Sequence, residues 1–277
     1  MWRPISELRK TDRDYSGMNY PYDYAKKHKD LDDVYSSICS DRDTRSVGVI
    51  ERIEIRRVDS GEIQYRVTGI DRSEYTPSRE FNTQLGCFVS EDNGEFGGSL
   101  TIPSGKRIGG NFRYVFDAGK MVYAISTLSH LTVRSASIYQ FINDKEYKCL
   151  YSCGDIIEKY MLRDKPGETI DEMTCEAYDV NLGKAYFLLT GEVSISNNDN
   201  LRSWNEIRVI EASEDGIQEI IRAAGYCPNG IGNLIVNADN VYISYDKMVM
   251  VINRSSRIIS YYTFLSEEDE KNLETEG

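Results

Sequence analysis

Histidine, tryptophan and proline are scarce in this chain of 277 residues, which contains two, two and six of them. Two histidines cannot supply a zinc site with three histidine ligands, and neither His28 nor His130 lies in the motif of a nucleophilic or metal-assisted enzyme. Gly105-Lys106 lacks the glycine spacing of a phosphate-binding loop. The sequence therefore predicts neither a catalytic group nor a cofactor.

Cys-x-x-Cys pairs are absent among the six cysteines, and so is any apolar run of transmembrane length. The first residues lack the central apolar run of a signal peptide. Cys149 and Cys153 lie on one predicted strand with their Cα atoms about 13 Å apart, too far for a disulfide bond. We therefore expect a cytoplasmic protein with small buried thiols and no membrane partner.

Positive charge is also in short supply, because 33 Lys and Arg face 45 Asp and Glu, which gives a net charge of −12. Nearly half of the excess lies in an acidic tail, residues 266–277. Such a balance repels nucleic acid, so we expect none as a partner, and it would attract a basic protein. Solubility alone is the other explanation of the same surplus.

The chain is rich in sequence patterns typical of β-strands, most clearly from Asn111 to Cys153. The stretch predicts four successive strands: Phe112 to Phe116, Lys120 to Ser126, Ala136 to Ile142, and Glu146 to Cys153. The segment from Met121 to Ile125 is apolar without alternation. A strand that is apolar on both faces must be covered on both, so this one is expected at the centre of a layered structure.

A faint repeat accompanies these strands. The segment from Gly119 to Ser126 (GKMVYAIS) is echoed from Gly183 to Thr190 (GKAYFLLT) and from Asp239 to Asp246 (DNVYISYD). Each echo is followed by two further strand candidates, so four short strands recur at a spacing near that of propeller blades. In this respect the chain resembles β-propeller repeat proteins.

The resemblance implies an all-β fold, a β-propeller-like array of about four to five four-stranded antiparallel sheets, over residues 46–265. Two packed antiparallel sheets would use the same strands. Residues 1–45 differ, with an irregular, tyrosine-rich stretch and apolar residues at helical spacing from Asp23 to Cys39. They predict an N-terminal helical segment.

One candidate binding site lies between Gly86 and Ile102, where Asp92-Asn93-Gly94 indicates a tight turn. Glu91, Asp92, Glu95 and Phe96 could present an acidic and aromatic contact to a partner. The alternative is a bulged strand with Phe96 turned into the core.

A second candidate lies between Gly191 and Ser203, which reads as a long polar loop. Asn198 and Asp199 would belong to this loop, and Trp204 after it could be a partner-binding aromatic residue. Core packing at a strand entrance is the alternative for Trp204. We hypothesise a non-catalytic protein-binding scaffold. An intracellular antidote, or immunity protein, that neutralises a basic toxin is one form it could take.

An enzymatic alternative uses carboxylates. Asp117, Asp179 and Asp239 follow similar runs in the three repeats, and stacking would bring them into one ring that could hydrolyse a carbohydrate in a propeller channel. Aspartates that accept backbone N–H groups in turns would recur for structural reasons.

Overall fold

The computed structural model describes residues 1–14, 50–70, 78–92, 97–130, 133–154, 169–197, 200–224, 232–245 and 248–263. These residues form twenty strands, and their single helical element is a 3-10 turn, Ile5–Glu7. The fold is therefore nearly all-β, as predicted. No helix within these ranges is long and apolar enough to cross a membrane.

The strands in chain order are β1 (Arg3–Pro4), β2 (Arg9–Asp14), β3 (Ile50–Arg57), β4 (Ile63–Ile70), β5 (Ser78–Thr83), β6 (Gly86–Asp92), β7 (Gly98–Thr101), β8 (Arg107–Gly109), β9 (Phe112–Ala118), β10 (Met121–His130), β11 (Val133–Phe141), β12 (Tyr147–Cys153), β13 (Thr169–Asn181), β14 (Lys184–Asn197), β15 (Asn200–Ser213), β16 (Gly216–Ala224), β17 (Leu234–Val236), β18 (Asn240–Tyr245), β19 (Met248–Asn253) and β20 (Ile258–Thr263). All of the pairings are antiparallel.

The chain divides into two units. Unit 1 combines residues 1–74 with residues 228–277, and unit 2 is the continuous run 75–227. Unit 1 holds sheet A (β1-β4-β3) and sheet B (β17-β18-β19-β20-β2). Unit 2 holds three four-stranded meanders, sheet C (β5 to β8), sheet D (β9 to β12) and sheet E (β13 to β16).

The repeat seen in the sequence corresponds to equivalent strands. Its three copies form β10, β14 and β18, each the second strand of its sheet. Sheet C adds a copy that the sequence analysis missed, β6, which begins at Gly86 after a two-residue turn. The pair Leu85-Gly86 matches Leu182-Gly183 before β14, and this was the available signal.

Sheet D is the centre of unit 2, because both of its faces are buried. Val122 and Ala124 of β10 belong to a core shared with sheet C, which includes Phe88 and Leu100. Tyr123 and Ile125 point the other way, into a core shared with sheet E. The prediction that the non-alternating strand lies between two layers is confirmed.

Unit 1 has a core of its own between sheets A and B. Ile53, Ile55 and Tyr65 of sheet A pack with Val249 and Val251 of sheet B. The opposite face of sheet A carries the charged residues of the same strands, because side chains alternate along a strand.

The first residues differ from expectation. Arg9–Asp14 forms β2, which pairs with β20 in sheet B, instead of an irregular segment. The strand forms because its backbone completes the ladder at the edge of β20. The helix predicted from Asp23 to Cys39 lies outside the described residues.

Candidate functional site

In the three sheets of unit 2, the turns that join the first and second strands lie side by side. The backbone N–H of Gln84, in the β5–β6 turn, donates to Oδ1 of Asp117 at 3.1 Å. Gly119, in the β9–β10 turn, has a φ of 60°, and a Cβ there would lie 2.8 Å from the carbonyl oxygen of Gly183. The first turns are therefore adjacent. The connections between second and third strands leave from the opposite end, which we call the second-turn edge.

Both candidate binding regions map to the second-turn edge. Glu91 and Asp92 end β6, the second strand of sheet C. Glu91 is exposed, but its carboxylate already forms an ion pair with Arg107 of the same sheet. Asp92 is half-buried and pairs in register with Gly98. Glu95 and Phe96 lie outside the described residues.

The prediction of a long loop from Gly191 to Ser203 is wrong. The two strands of this hairpin, β14 and β15, continue with 14 residues each, and their last pair is Asn197 with Asn200. Polar residues alternate with Val193 and Ile195 here, so the stretch satisfies a strand pattern despite its polarity. Trp204 pairs with Val193 within β15. Asn198 and Asp199 lie outside the described residues.

A chain of ion pairs lies on the face of sheet E that packs against sheet D. Arg208 donates through Nη1 and Nη2 to the two carboxylate oxygens of Asp171, at 2.5 and 3.0 Å. Its Nε donates to Oε1 of Glu206 at 2.5 Å, and Nε of Arg222 reaches the same oxygen at 2.9 Å. Glu206 is 0% exposed. Each buried charge is thus compensated by a partner of opposite sign.

These groups are not arranged for proton transfer. Burial alone would lower the pKa of Arg208, but its hydrogen bonds to Asp171 and Glu206 outweigh burial. The pKa is raised, so the guanidinium remains charged. Burial and the neighbouring Cys153 raise the pKa of Tyr151, which keeps the phenol neutral. The cluster therefore stabilises the sheet from which the long hairpin extends.

Three carboxylates lie in β13 and β14 outside the chain of ion pairs. Glu172 and Glu192 are on the other face of sheet E near the second-turn edge, and Glu176 is at the bulge in the middle of β13. Glu172 and Glu192 stand directly opposite each other in the register of β13 and β14. Glu176 accepts a hydrogen bond from Thr174 at 2.5 Å, and Glu192 accepts one from Ser194 at 3.3 Å. We call Glu172, Glu176 and Glu192 the acidic row.

The acidic row concentrates negative charge in β13 and β14. All three side chains are half-buried. Within the described residues, neither Glu176 nor Glu192 has an ion pair. Like charges that face each other across a strand pair repel, and Glu172 stands opposite Glu192 in this way. A cation from outside the chain would relieve this repulsion.

Asp117, Asp179 and Asp239 do not hold equivalent positions in their own sheets. The last paired residues before the first turns are Ala118, Asn181 and Asn237 in the three repeats. Asp117 precedes this position by one residue and Asp179 by two, whereas Asp239 lies within its turn. Because alternate strand residues point to opposite faces, the equivalence is wrong. Asp117 instead holds the turn of sheet C.

The sequence analysis missed the charged residues inside strands. Glu206 and Arg208 are two residues apart in β15, so they share a strand face. A charged pair at this spacing within a predicted strand was the signal. Among the described residues, no three His, Cys, Asp or Glu side chains are grouped to hold a metal ion.

Comparison with known proteins gives no relative on which to base an assignment: neither the scan of family models nor the search of curated proteins returned a match.

Proposed function

We propose that this chain is a non-catalytic β scaffold that binds a basic protein through the second-turn edge of unit 2. The acidic row carries the proposal, since two of its carboxylates, Glu172 and Glu192, stand opposite each other near the second-turn edge. Lysine or arginine side chains of a partner would remove the repulsion on binding. An intracellular antidote to a basic toxin is the particular form that suits the net charge of −12.

The architecture we propose for the scaffold is a β-propeller-like array. Sheets C, D and E support it, because each is a meander of four consecutive strands, the arrangement of a propeller blade. The adjacent first turns of these sheets also support it. Such an array presents turns at its two ends, which are the usual binding surfaces of a rigid β scaffold.

The test compares two charge-matched double variants in pull-down from native lysate. Glu172→Gln with Glu192→Gln removes two charges from the acidic row. Glu80→Gln with Asp215→Asn removes two charges from exposed positions elsewhere in unit 2. Wild type and the control should recover the same stoichiometric protein, and the acidic-row variant should bind it at least about tenfold more weakly.

The stability of the acidic-row variant separates lost binding from lost folding. Because the substitution relieves a like-charge pair, its urea midpoint should equal or exceed that of wild type. Equal capture of the partner by both variants would contradict the proposed surface. A wild-type chain that elutes as a clean monomer under gentle conditions would contradict the function itself.

A further inference from the structure

Sheet A carries an aromatic and cationic face opposite the core of unit 1. The guanidinium carbons of Arg56 and Arg66 lie over the indole ring of Trp2, 4.4 and 4.7 Å from its centroid. Arg52 lies on the same face, because it is two residues from Glu54 and four from Arg56 along β3. We call Trp2, Arg52, Arg56 and Arg66 the arginine face.

The positive charge of the arginine face is only partly neutralised. Glu54 accepts a hydrogen bond from Nε of Arg66 at 2.8 Å, and its Oε1 lies 3.6 Å from Nη2 of Arg52. Arg56 donates instead to the neutral amide oxygen of Gln64, at 2.8 and 3.2 Å. Nε of Arg52 is buried and has no hydrogen-bond partner within the described structure.

Glu54 is the single carboxylate among these contacts, and it is ionised. Burial acts to raise its pKa, but the hydrogen bond and charge of Arg66 outweigh burial, and the pKa is lowered. One carboxylate therefore pairs with two of the three guanidinium groups, and the third, Arg56, has only a neutral partner. A ligand that brought further carboxylates would complete their pairing, and guanidinium groups bind carboxylates through paired, directional hydrogen bonds.

The chain itself contains a segment of this chemistry. Residues 264–277, FLSEEDEKNLETEG, hold six acidic residues and one lysine, and lie outside the described structure. They follow Thr263, which pairs with Arg9 in the same unit. Seven residues separate Arg9 from Trp2, a span of at most about 25 Å, whereas fourteen residues can extend about 46 Å.

We propose that the acidic segment 264–277 docks on the arginine face of the same molecule. Its carboxylates would pair with Arg52 and Arg56, whose charges the fold leaves without a full partner. The contact would cover a cationic and aromatic surface in a chain of net charge −12. Because the face is partly exposed, the attraction should weaken as salt is raised.

Trp2 is the reporter for the test. The chain has two tryptophans, so Trp204→Phe leaves Trp2 as the single indole fluorophore. In this background we compare iodide quenching of the full chain with that of a chain ending at Thr263, at constant ionic strength. Removal of the segment should raise the quenching constant at least about twofold, because iodide is repelled by the docked carboxylates and attracted by the freed arginines.

Two further variants make the result specific. A full-length chain whose six acidic residues after Thr263 are changed to their amides should be quenched like the shortened chain. With Arg52→Gln and Arg56→Gln, shortening should no longer change quenching. Equal quenching of the full and shortened chains would overturn the proposal. A protection that grows with protein concentration would also overturn it, because the segment would then be binding a second copy.

Discussion

At the residue scale, the buried ions of sheet E have the largest expected effect on stability. Arg208→Met removes the cation that binds both Asp171 and the fully buried Glu206. Glu206 keeps Arg222 as a partner, but Asp171 loses its cation, so we expect a loss of about 3 kcal/mol in the free energy of unfolding, the lower end of the cost of breaking a buried ion pair. Urea unfolding followed by circular dichroism would measure it.

The control for this prediction is a surface pair in the same sheet. Lys184 contacts Glu211 at 2.5 Å, and its side chain is 46% exposed. Because solvent screens such a pair, Lys184→Met should cost no more than about 1 kcal/mol. Similar losses for the two variants would mean that burial of Arg208 does not set the cost.

The burial of such charged residues could not be predicted from the sequence. The charges of Glu206 and Arg208 are plain in the sequence, but their burial depends on sheet D covering sheet E. The same holds for Trp2, which meets Arg56 and Arg66 only because β1 pairs with β4. Short-range pattern predicts the strand and the face, whereas long-range pairing decides which faces are covered.

At the scale of elements, Gly191 shows how closely β13 and β14 approach. A Cβ at this position would lie 2.0 Å from the carbonyl oxygen of Glu172, a backbone atom that cannot move aside without disturbing the ladder. Gly191→Ala should therefore destabilise the protein by about 3 kcal/mol in urea unfolding.

The matched control is a second glycine in a strand. A Cβ at Gly109, in β8, would meet no atom within 4 Å. Gly109→Ala should be neutral, or stabilise by about 0.5 kcal/mol through the lower entropy of the unfolded chain. If both substitutions were neutral, the close approach at Gly191 would not exist in solution.

Element type was more predictable than element length. The strands around Met121 to Ile125 were predicted because an apolar run without alternation requires cover on both faces. The extension of β14 and β15 was hidden, because Asn197 and Asn200 at their ends are typical loop residues. Their pairing with each other continues the ladder to the end of the hairpin.

At the scale of the whole molecule, the two units are built from the chain in different ways. Unit 1 needs residues from both ends of the sequence, whereas unit 2 is the single run 75–227. Sequence repeats indicated the strands that recur in sheets D, E and B. They did not indicate this division, because it depends on which strands β1 and β2 join.

The continuity of unit 2 predicts that residues 75–227 fold when expressed alone. The fragment contains both cores that cover sheet D, one with Phe88 and Phe141 and the other with Phe116 and Phe187. We expect one cooperative urea transition in the near-ultraviolet circular dichroism of its tyrosines. A fragment of residues 133–227 lacks β9 and β10, so each core loses a wall and no cooperative transition should remain. If 75–227 behaved like this shorter fragment, the cores of unit 2 would not be sufficient to hold its three sheets.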